Sequence, residues 1–497
     1  MKLIFNMRIP GRIAALFSLL LIGILAGLAQ QNVPVGKARP GGRGEARMPS
    51  LAFRTEVPAQ PYDLILGRPT KDAVTVSVLA YAGAAGTVAY GPQPGQYTTE
   101  TPLTEFPAGL PVELRLGGLQ PATRYYYQLR LRPAGRSDSI VSPEYSFTTA
   151  RPPGATFTFT LQADSHLDAG TEPEIYLKSL GNALTARPDF HVDLGDTFMN
   201  DKRTDYRDAL PQYLAQRYYF GQLAHTAPLF LVLGNHDGEK RGKDGDDMAV
   251  WSNSQRKKYF PNPEPDAFYS GNGSPYPRAG LLQDYYAFAW GDALFVMLDP
   301  YWFGQDRGRD GDNWGRSLGR EQYEWLRRTL ATSQAKFTFV FIHHLVGGET
   351  REGRGGAEAA AFFEWGGANA DGSAGFAQHR PGWAAPIHDL LAAHGGVIVF
   401  HGHDHLYARQ ERDGVIYQLV PQPGHGRFDN IRSAAEYGYH SGVIQGASGI
   451  LRVTVAPTGA TVEYVRAYPA SAENTGRRTG DVTDQYRLIL PAPRPKS

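Results

Sequence analysis

Phe157-Thr-Phe-Thr-Leu-Gln-Ala is an apolar, β-prone run that stops at Asp164-Ser165-His166. Four later runs have the same form. Phe190-His-Val-Asp-Leu stops at Gly195-Asp196, and Leu229-Phe-Leu-Val-Leu at Gly234-Asn235-His236-Asp237. Phe337-Thr-Phe-Val-Phe-Ile stops at His343-His344, and Val397-Ile-Val-Phe-His at Gly402-His403-Asp404-His405. Short apolar runs bounded by turn residues predict buried strands. Between some of them the pattern turns helical. Residues 174–187 form one such stretch, and residues 320–333 another, with Tyr323, Leu326 and Leu330 on one face. Strands that alternate with helices predict a layered α/β domain. Ligands of such domains gather at the carboxyl ends of strands, which is where all five polar clusters fall.

The chain has 497 residues and no cysteine, which excludes disulfides, thiol nucleophiles, iron–sulfur clusters and Cys-type zinc sites. It has 14 histidines, and the first is His166. A metal held here would need His, carboxylate and amide ligands, a set that suits Zn, Mn or Fe. A carboxylate has two oxygens and can bridge two cations. Two metals about 3.5–4 Å apart can clamp a phosphoryl group. Glycines stand before Asp196, Asn235 and His403, where tight turns would aim the next side chain into a site. Charge is nearly balanced, 50 basic residues against 49 acidic, so composition offers no electrostatic reason to expect nucleic acid as a partner.

Lys2, Arg8 and Arg12 precede an apolar run from Ile13 to Ala29 that ends in small residues. The pattern predicts a signal peptide over 1–29 and a secreted or periplasmic protein. An uncleaved membrane anchor is the competing reading of the same run. Residues 30–52, rich in Gly, Pro and Arg, read as a flexible leader. Residues 53–150 read as a small β-sandwich, with Ala73-Val-Thr-Val-Ser-Val-Leu alternating in period two. Leu119-Gln-Pro-Ala-Thr-Arg-Tyr-Tyr-Tyr-Gln-Leu resembles a strand entry of fibronectin type III domains. The loop-rich stretches 239–301 and 347–375 are expected to shape a substrate cleft.

Taken in order at strand ends, D-x-H, G-D, G-N-H-D, H and G-H-x-H resemble the calcineurin-like metallophosphoesterase superfamily. The resemblance covers 155–470 and leaves 471–497 as a C-terminal tail. It implies a four-layer αββα sandwich. It implies one metal on Asp164, His166 and His405, a second on Asn235, His343 and His403, and Asp196 bridging both. Of the adjacent pair, Val340-Phe-Ile-His343 matches the family's V-x-x-H, so His344 takes a supporting place. His236 would act beside the phosphoryl group as proton donor or charge stabiliser, oriented by Asp237.

A β domain ahead of the phosphoesterase is similar to purple acid phosphatases. So is His405-Leu-Tyr407-Ala-Arg409, which resembles their H-x-Y-x-R run. Tyr407 and Arg409 are read as supporting the site, with a plain salt bridge as the competing account. That branch owes its colour to a tyrosine three residues after the bridging aspartate. Here the position is Met199, which leaves divalent or mixed-valence Zn, Mn or Fe open. His425, in Pro423-Gly-His-Gly, is placed at the mouth or in packing. His191 and His401 are read as core histidines, His388 and His394 as packing or surface residues of a helix over 382–394.

The implied function is hydrolysis of a small phosphomonoester by a hydroxide held between two metals. Phosphodiester hydrolysis is the alternative, because D-x-H is also usual in diesterases. A reading from another class is a surface-binding protein on a vestigial phosphoesterase fold, against which the intact ligand set argues.

Overall fold

The computed structural model describes residues 52–241, 247–304, 313–348 and 354–489. The expected signal peptide, and all of the leader but residue 52, lie outside these residues. Among the described residues, no helix is long and apolar enough to cross a membrane.

Two mixed sheets carry the five clusters. The first runs in the order Leu229–Leu231, Phe190–Asp193, Phe157–Gln162, Gly449–Ala456, Gly459–Arg466, Val482–Leu488. Its first three strands are parallel, with Phe159 beside Phe190 and Asp193 beside Leu231. The second begins at Ser270–Gly271, Tyr286–Trp290 and Ala293–Met297. It continues through Phe337–Phe341, Val397–His401, Val415–Leu419, Tyr407–Arg412 and Val443–Gln445. Phe337–Phe341 and Val397–His401 are parallel, with Phe341 beside Phe400.

Alternation explains why these strands look uniformly apolar. Phe337, Phe339 and Phe341 enter the core shared by the two sheets, while Val340 and Ile342 face a second core under helices. A strand buried on both faces needs apolar residues at every position. In the shared core the Phe159 ring lies 5.4 Å from Phe190 of its own sheet and 5.1 Å from Phe295 of the other. Each such ring contributes on the order of 2–3 kcal/mol by leaving water.

Helices Pro173–Thr185 and Leu210–Ala224 cover the first sheet through Tyr176, Leu180 and Tyr219 against Ile450 and Val465. Helices Gly319–Thr332 and Ile387–His394 cover the second through Tyr323, Leu326 and Leu391 against Val340 and Val397. The result is the expected αββα order. The helix expected over 382–394 begins at Ile387, because Pro386 stands at its N-cap with non-helical backbone.

The stretch 471–497, expected as a tail, contains Val482–Leu488, the edge strand of the first sheet. The domain therefore extends past 470. Its charged and amide residues hid this strand, since an edge exposed on one side tolerates them.

Residues 62–148 form two antiparallel sheets around one core. Tyr62–Gly67, Ala73–Ala80 and Pro111–Gly117 make the first. The second is built on Ala84–Gly91 and Arg124–Pro133. Val76, Val78 and Leu116 of one pack with Tyr127, Leu129 and Phe147 of the other.

His191 and His401 are buried as expected. His388 bonds Tyr417 Oη at 2.7 Å and His394 bonds Thr338 Oγ1 at 2.9 Å, both within packing. His191 shares a hydrogen bond of 2.8 Å with Thr160 Oγ1, and burial lowers its pKa to about 3. The folded state thus holds this ring neutral, whereas the unfolded chain protonates it below about 6.5. The predicted cost is about 1.4 kcal/mol of stability per pH unit as pH falls from about 6.5 towards 3. Urea unfolding at pH 7 and pH 5 checks this. His191→Gln is expected to shrink the difference between the two conditions by about 2 kcal/mol.

Candidate metal centre

Four of the five strand ends bring two groups of ligand atoms together. Asp164, His166 and His405 form one, and Asp196, His343 and His403 the other. Within each group the ligand atoms all lie within 4.8 Å of one another. His343 Nε2 is 3.2 Å from Asp196 Oδ2 and 3.8 Å from Asp164 Oδ1, so it joins the two groups. His166 Nε2 is 3.7 Å from Asp164 Oδ1 and also 3.7 Å from Asp196 Oδ2. His405 Nε2 is 3.6 Å from Asp164 Oδ1.

Local backbone geometry sets this convergence. Asp164, His166, Asp196, His403 and His405 all adopt the left-handed region, with φ of 61°, 36°, 55°, 82° and 55°. Such residues cost of order 1 kcal/mol or more each and occur where surrounding contacts impose them. The contacts are present here. Asp164 N donates to Gly195 O at 2.9 Å, and His166 N donates to Asp196 O at 3.2 Å. His403 N donates to Asp164 Oδ2 at 2.9 Å, and His236 N to Asp196 Oδ1 at 2.7 Å. Gly195 has φ of 90°, but Gly234 and Gly402 serve close approach instead. A Cβ on Gly234 would collide with Asp196 N.

Hydrogen bonding at the far ring nitrogen orients two of the imidazoles. His343 Nδ1 donates to Leu194 O at 2.8 Å, which leaves Nε2 with its lone pair towards the carboxylates. His166 Nδ1 does the same towards Asp168 Oδ2 at 3.4 Å. Asp164 Oδ1, His166 Nε2, Asn235 Oδ1 and His343 Nε2 are buried and have no hydrogen-bond partner among the described residues. Buried acceptors left in this way are costly unless something accepts their lone pairs. A pair of divalent cations fits that donor set of carboxylate, imidazole and amide.

The electrostatics agree. Burial by itself would raise the Asp196 carboxyl, but His343, His236 and His166 hold it well below the usual range. Burial would lower His343, yet Asp196 and Asp164 raise it to about 9. These anions favour positive charge between them, and protons and metal cations compete for the same lone pairs.

His236 Nε2 lies 4.0 Å from Asp196 Oδ2. Its Nδ1 bonds Asp201 at 3.0 and 3.1 Å, so Asp201 orients the ring. This corrects the role expected for Asp237, whose carboxylate accepts from the backbone N–H of Gly234, Asp196, Thr197 and Phe198. Adjacent residues on this turn point apart, and Asp237 organises the loop beneath the site. Burial and the nearby Asp196 charge raise its carboxyl to about 6, against the pull of those N–H groups.

The site opens past His236 and His405, whose side chains are 21% and 34% exposed. The His425 ring stands 6.2 Å from that of His405, on the same side. His344 is buried beside the second group, its ring 5.2 Å from His403 and its Nε2 3.2 Å from Arg316 Nη1. Tyr407 and Arg409 do not support the ligands by direct contact. Tyr407 Oη and Arg409 Nε both donate to Asp484 on the edge strand.

Three residues escaped the sequence reading. Asp201 holds His236, Asp168 holds His166, and Arg354 places Nη2 2.7 Å from His403 Nε2 and Nε 2.9 Å from Asp404. Asp168, two residues past His166, was the only one with a local signal.

The family Calcineurin-like phosphoesterase matches residues 157–407. Purple acid phosphatase 15 of Arabidopsis thaliana is 24% identical over 330 residues, covering 62% of this chain and 51% of the relative. The chain thus spans about half the length of that curated relative. Two solved structures share the fold. PhoD has a TM-score of 0.60 at 15% identity, covering 86% of this chain and 90% of its own. The purple acid phosphatase PPD1 from yellow lupin (Lupinus luteus) seeds has a TM-score of 0.55 at 17% identity, covering 86% and 74%.

A Cβ added at Gly402 would sit 2.8 Å from Ala163 Cβ and 2.9 Å from Asp164 Oδ2. Gly402→Ala is therefore expected to push His403 off Asp164 and to cut retained metal to less than half of wild type. Elemental analysis after gel filtration measures it, with circular dichroism as the folding control. Undiminished metal would show that this close approach does not set the site.

Proposed function

For a chain that belongs to the calcineurin-like phosphoesterase family, we propose an exported, metal-dependent phosphoester hydrolase that acts on small phosphomonoesters. The observation that carries this reading is the convergence of Asp164, His166 and His405 and of Asp196, His343 and His403 into two ligand groups, in which Asp164 Oδ1, His166 Nε2 and His343 Nε2 are buried with no hydrogen-bond partner among the described residues. We assign Asp164, His166 and His405 to one divalent metal, Asn235, His343 and His403 to a second, and Asp196 to both. Such metals would neutralise phosphoryl oxygens and make water acidic enough to attack at neutral pH.

The chain's own residues supply the rest. His236 presents Nε2 to the open side of the site, within reach of a leaving-group oxygen. Asp201 accepts from Nδ1–H, and when the ring is doubly protonated its Nε2–H can pass to the departing alkoxide, leaving the neutral ring with Nδ1–H still bonded to Asp201. Asp237 keeps the loop of Asp196 and the turn of His236 in fixed relation through its four backbone bonds. No side chain is placed as a nucleophile in this reading.

The phosphatase relative supports monoesters as substrates. Diester hydrolysis is the second reading, because the D-x-H motif of Asp164 and His166 is also usual in diesterases. Met199 is buried and carries no phenolate, so a colourless Mn, Zn or Fe(II) centre is proposed. Export rests on the basic and apolar pattern of residues 1–29.

Asp196→Asn is expected to lower turnover of p-nitrophenyl phosphate by about 10³-fold or more with the fold retained. A variant with near-normal turnover would remove Asp196 from the centre. Asp201→Asn should lower kcat about 10- to 100-fold while metal content stays at the wild-type level. Hydrolysis of bis(p-nitrophenyl) phosphate well above the monoester rate would move the assignment to diesters.

A further inference from the structure

The helix Leu210–Ala224 is in contact with both the metal loops and the N-terminal sandwich. Gln212 Nε2 donates to His166 O, and to Thr197 O at 2.9 Å. Gln216 Nε2 donates to Ser165 Oγ at 2.9 Å and to Thr197 O at 3.0 Å. Both amides are fully buried. Their acceptors belong to the two loops that carry Asp164, His166 and Asp196, the residues with left-handed backbone. Gln212 and Gln216 are four apart and share one face of the helix.

Arg217 is turned about 100° from Gln216 and reaches the other way. Its Nε donates to Asp63 Oδ1 at 2.7 Å, its Nη1 to Ser77 Oγ at 3.1 Å, and its Nη2 to Ser77 O at 3.1 Å. It also bonds Tyr259 O. The second Asp63 oxygen accepts from Tyr81 Oη at 2.9 Å. Asp63 and Ser77 lie on the two sandwich strands Tyr62–Gly67 and Ala73–Ala80, where Leu64, Val76 and Val78 face the sandwich core. Ile65 and Leu79, on the opposite face, pack with Tyr213 and Phe220 of the helix. These two strands are thus buried on both sides.

An apolar contact is non-directional and tolerates small displacements. A desolvated guanidinium does not, because each displaced N–H would leave a buried charge unpaired. From this geometry we infer that the N-terminal sandwich is part of the frame of the metal centre. Asp63, Ser77 and Arg217 are positioning residues that act through the helix Leu210–Ala224 on the loops of Asp164, His166 and Asp196.

The inference rests on the reading of those loops as a metal site, and its test separates the two. Zn²⁺ is titrated into the full-length protein in competition with a chelating indicator, alongside thermal melting. Asp63→Asn keeps shape and removes charge, and is expected to weaken Zn²⁺ binding tenfold or more. Val78→Ala removes volume from the sandwich core on the other face of the neighbouring strand. It is expected to lower the melting temperature and leave the Zn²⁺ Kd within twofold. Should Asp63→Asn fail to fold, Ser77→Ala, which deletes one acceptor, is expected to weaken binding about threefold. Lower melting with an unchanged Kd in the Asp63 and Ser77 variants overturns the inference alone, as does an equal loss of affinity in Val78→Ala. A wild-type chain that takes up no Zn²⁺ overturns the metal reading itself.

Discussion

Asp164 and Asp196 are two carboxylates buried at the ends of parallel strands, and their approach constrains the rest of the structure. Adjacent buried anions are unfavourable unless positive charge and hydrogen-bond donors surround them. His343 brings Nε2 from the opposite sheet to within 4 Å of both, where a proton or a metal cation on that nitrogen supplies the first. Backbone N–H groups of His403 and His236 supply the second, one to each carboxylate. The partners come from both sheets, so the sheets must end at the same level. The phenylalanine core between them, with Phe159 packed between Phe190 and Phe295, keeps that alignment.

The same constraint accounts for the strained backbone. An ordinary strand end would carry successive side chains to opposite faces. Left-handed residues at Asp164, His166, Asp196, His403 and His405 curl the chain so that the ligand side chains converge. This strain is held by bonds between loops. Asp237 alone accepts four backbone N–H groups, from two different turns. Its burial raises its pKa, which marks how little solvent reaches the layer beneath the ligands.

Much of this was legible from residue order. Apolar runs ending in Asp, Asn and His mark the strands and the ligands together, because local pattern decides both burial and turn chemistry. What the pattern could not show were partners distant in sequence. His236 was expected to lean on Asp237, its neighbour, but bonds Asp201, 35 residues away. Tyr407 and Arg409 follow the last motif, yet engage Asp484 of a strand that read as tail. Ala73–Ala80 alternates in period two, and Ser77 and Leu79, on the face away from the sandwich core, are buried against the catalytic domain. A period of two reports two faces but not what covers the polar one.

The His343 ring shows why sheet packing and site chemistry cannot be separated. Its Nδ1–H is fixed by Leu194 O, the residue before Gly195-Asp196. The loop that carries the central carboxylate therefore also sets the tautomer of a ligand from the other sheet. A shift between the sheets would lengthen this bond, free the ring to rotate, and take Nε2 away from Asp196. Helix Leu210–Ala224 then ties the same loop, through Thr197 O, to the sandwich beyond it. The position of one carboxylate thus reflects the packing of three layers, none of which contributes to the chemistry alone.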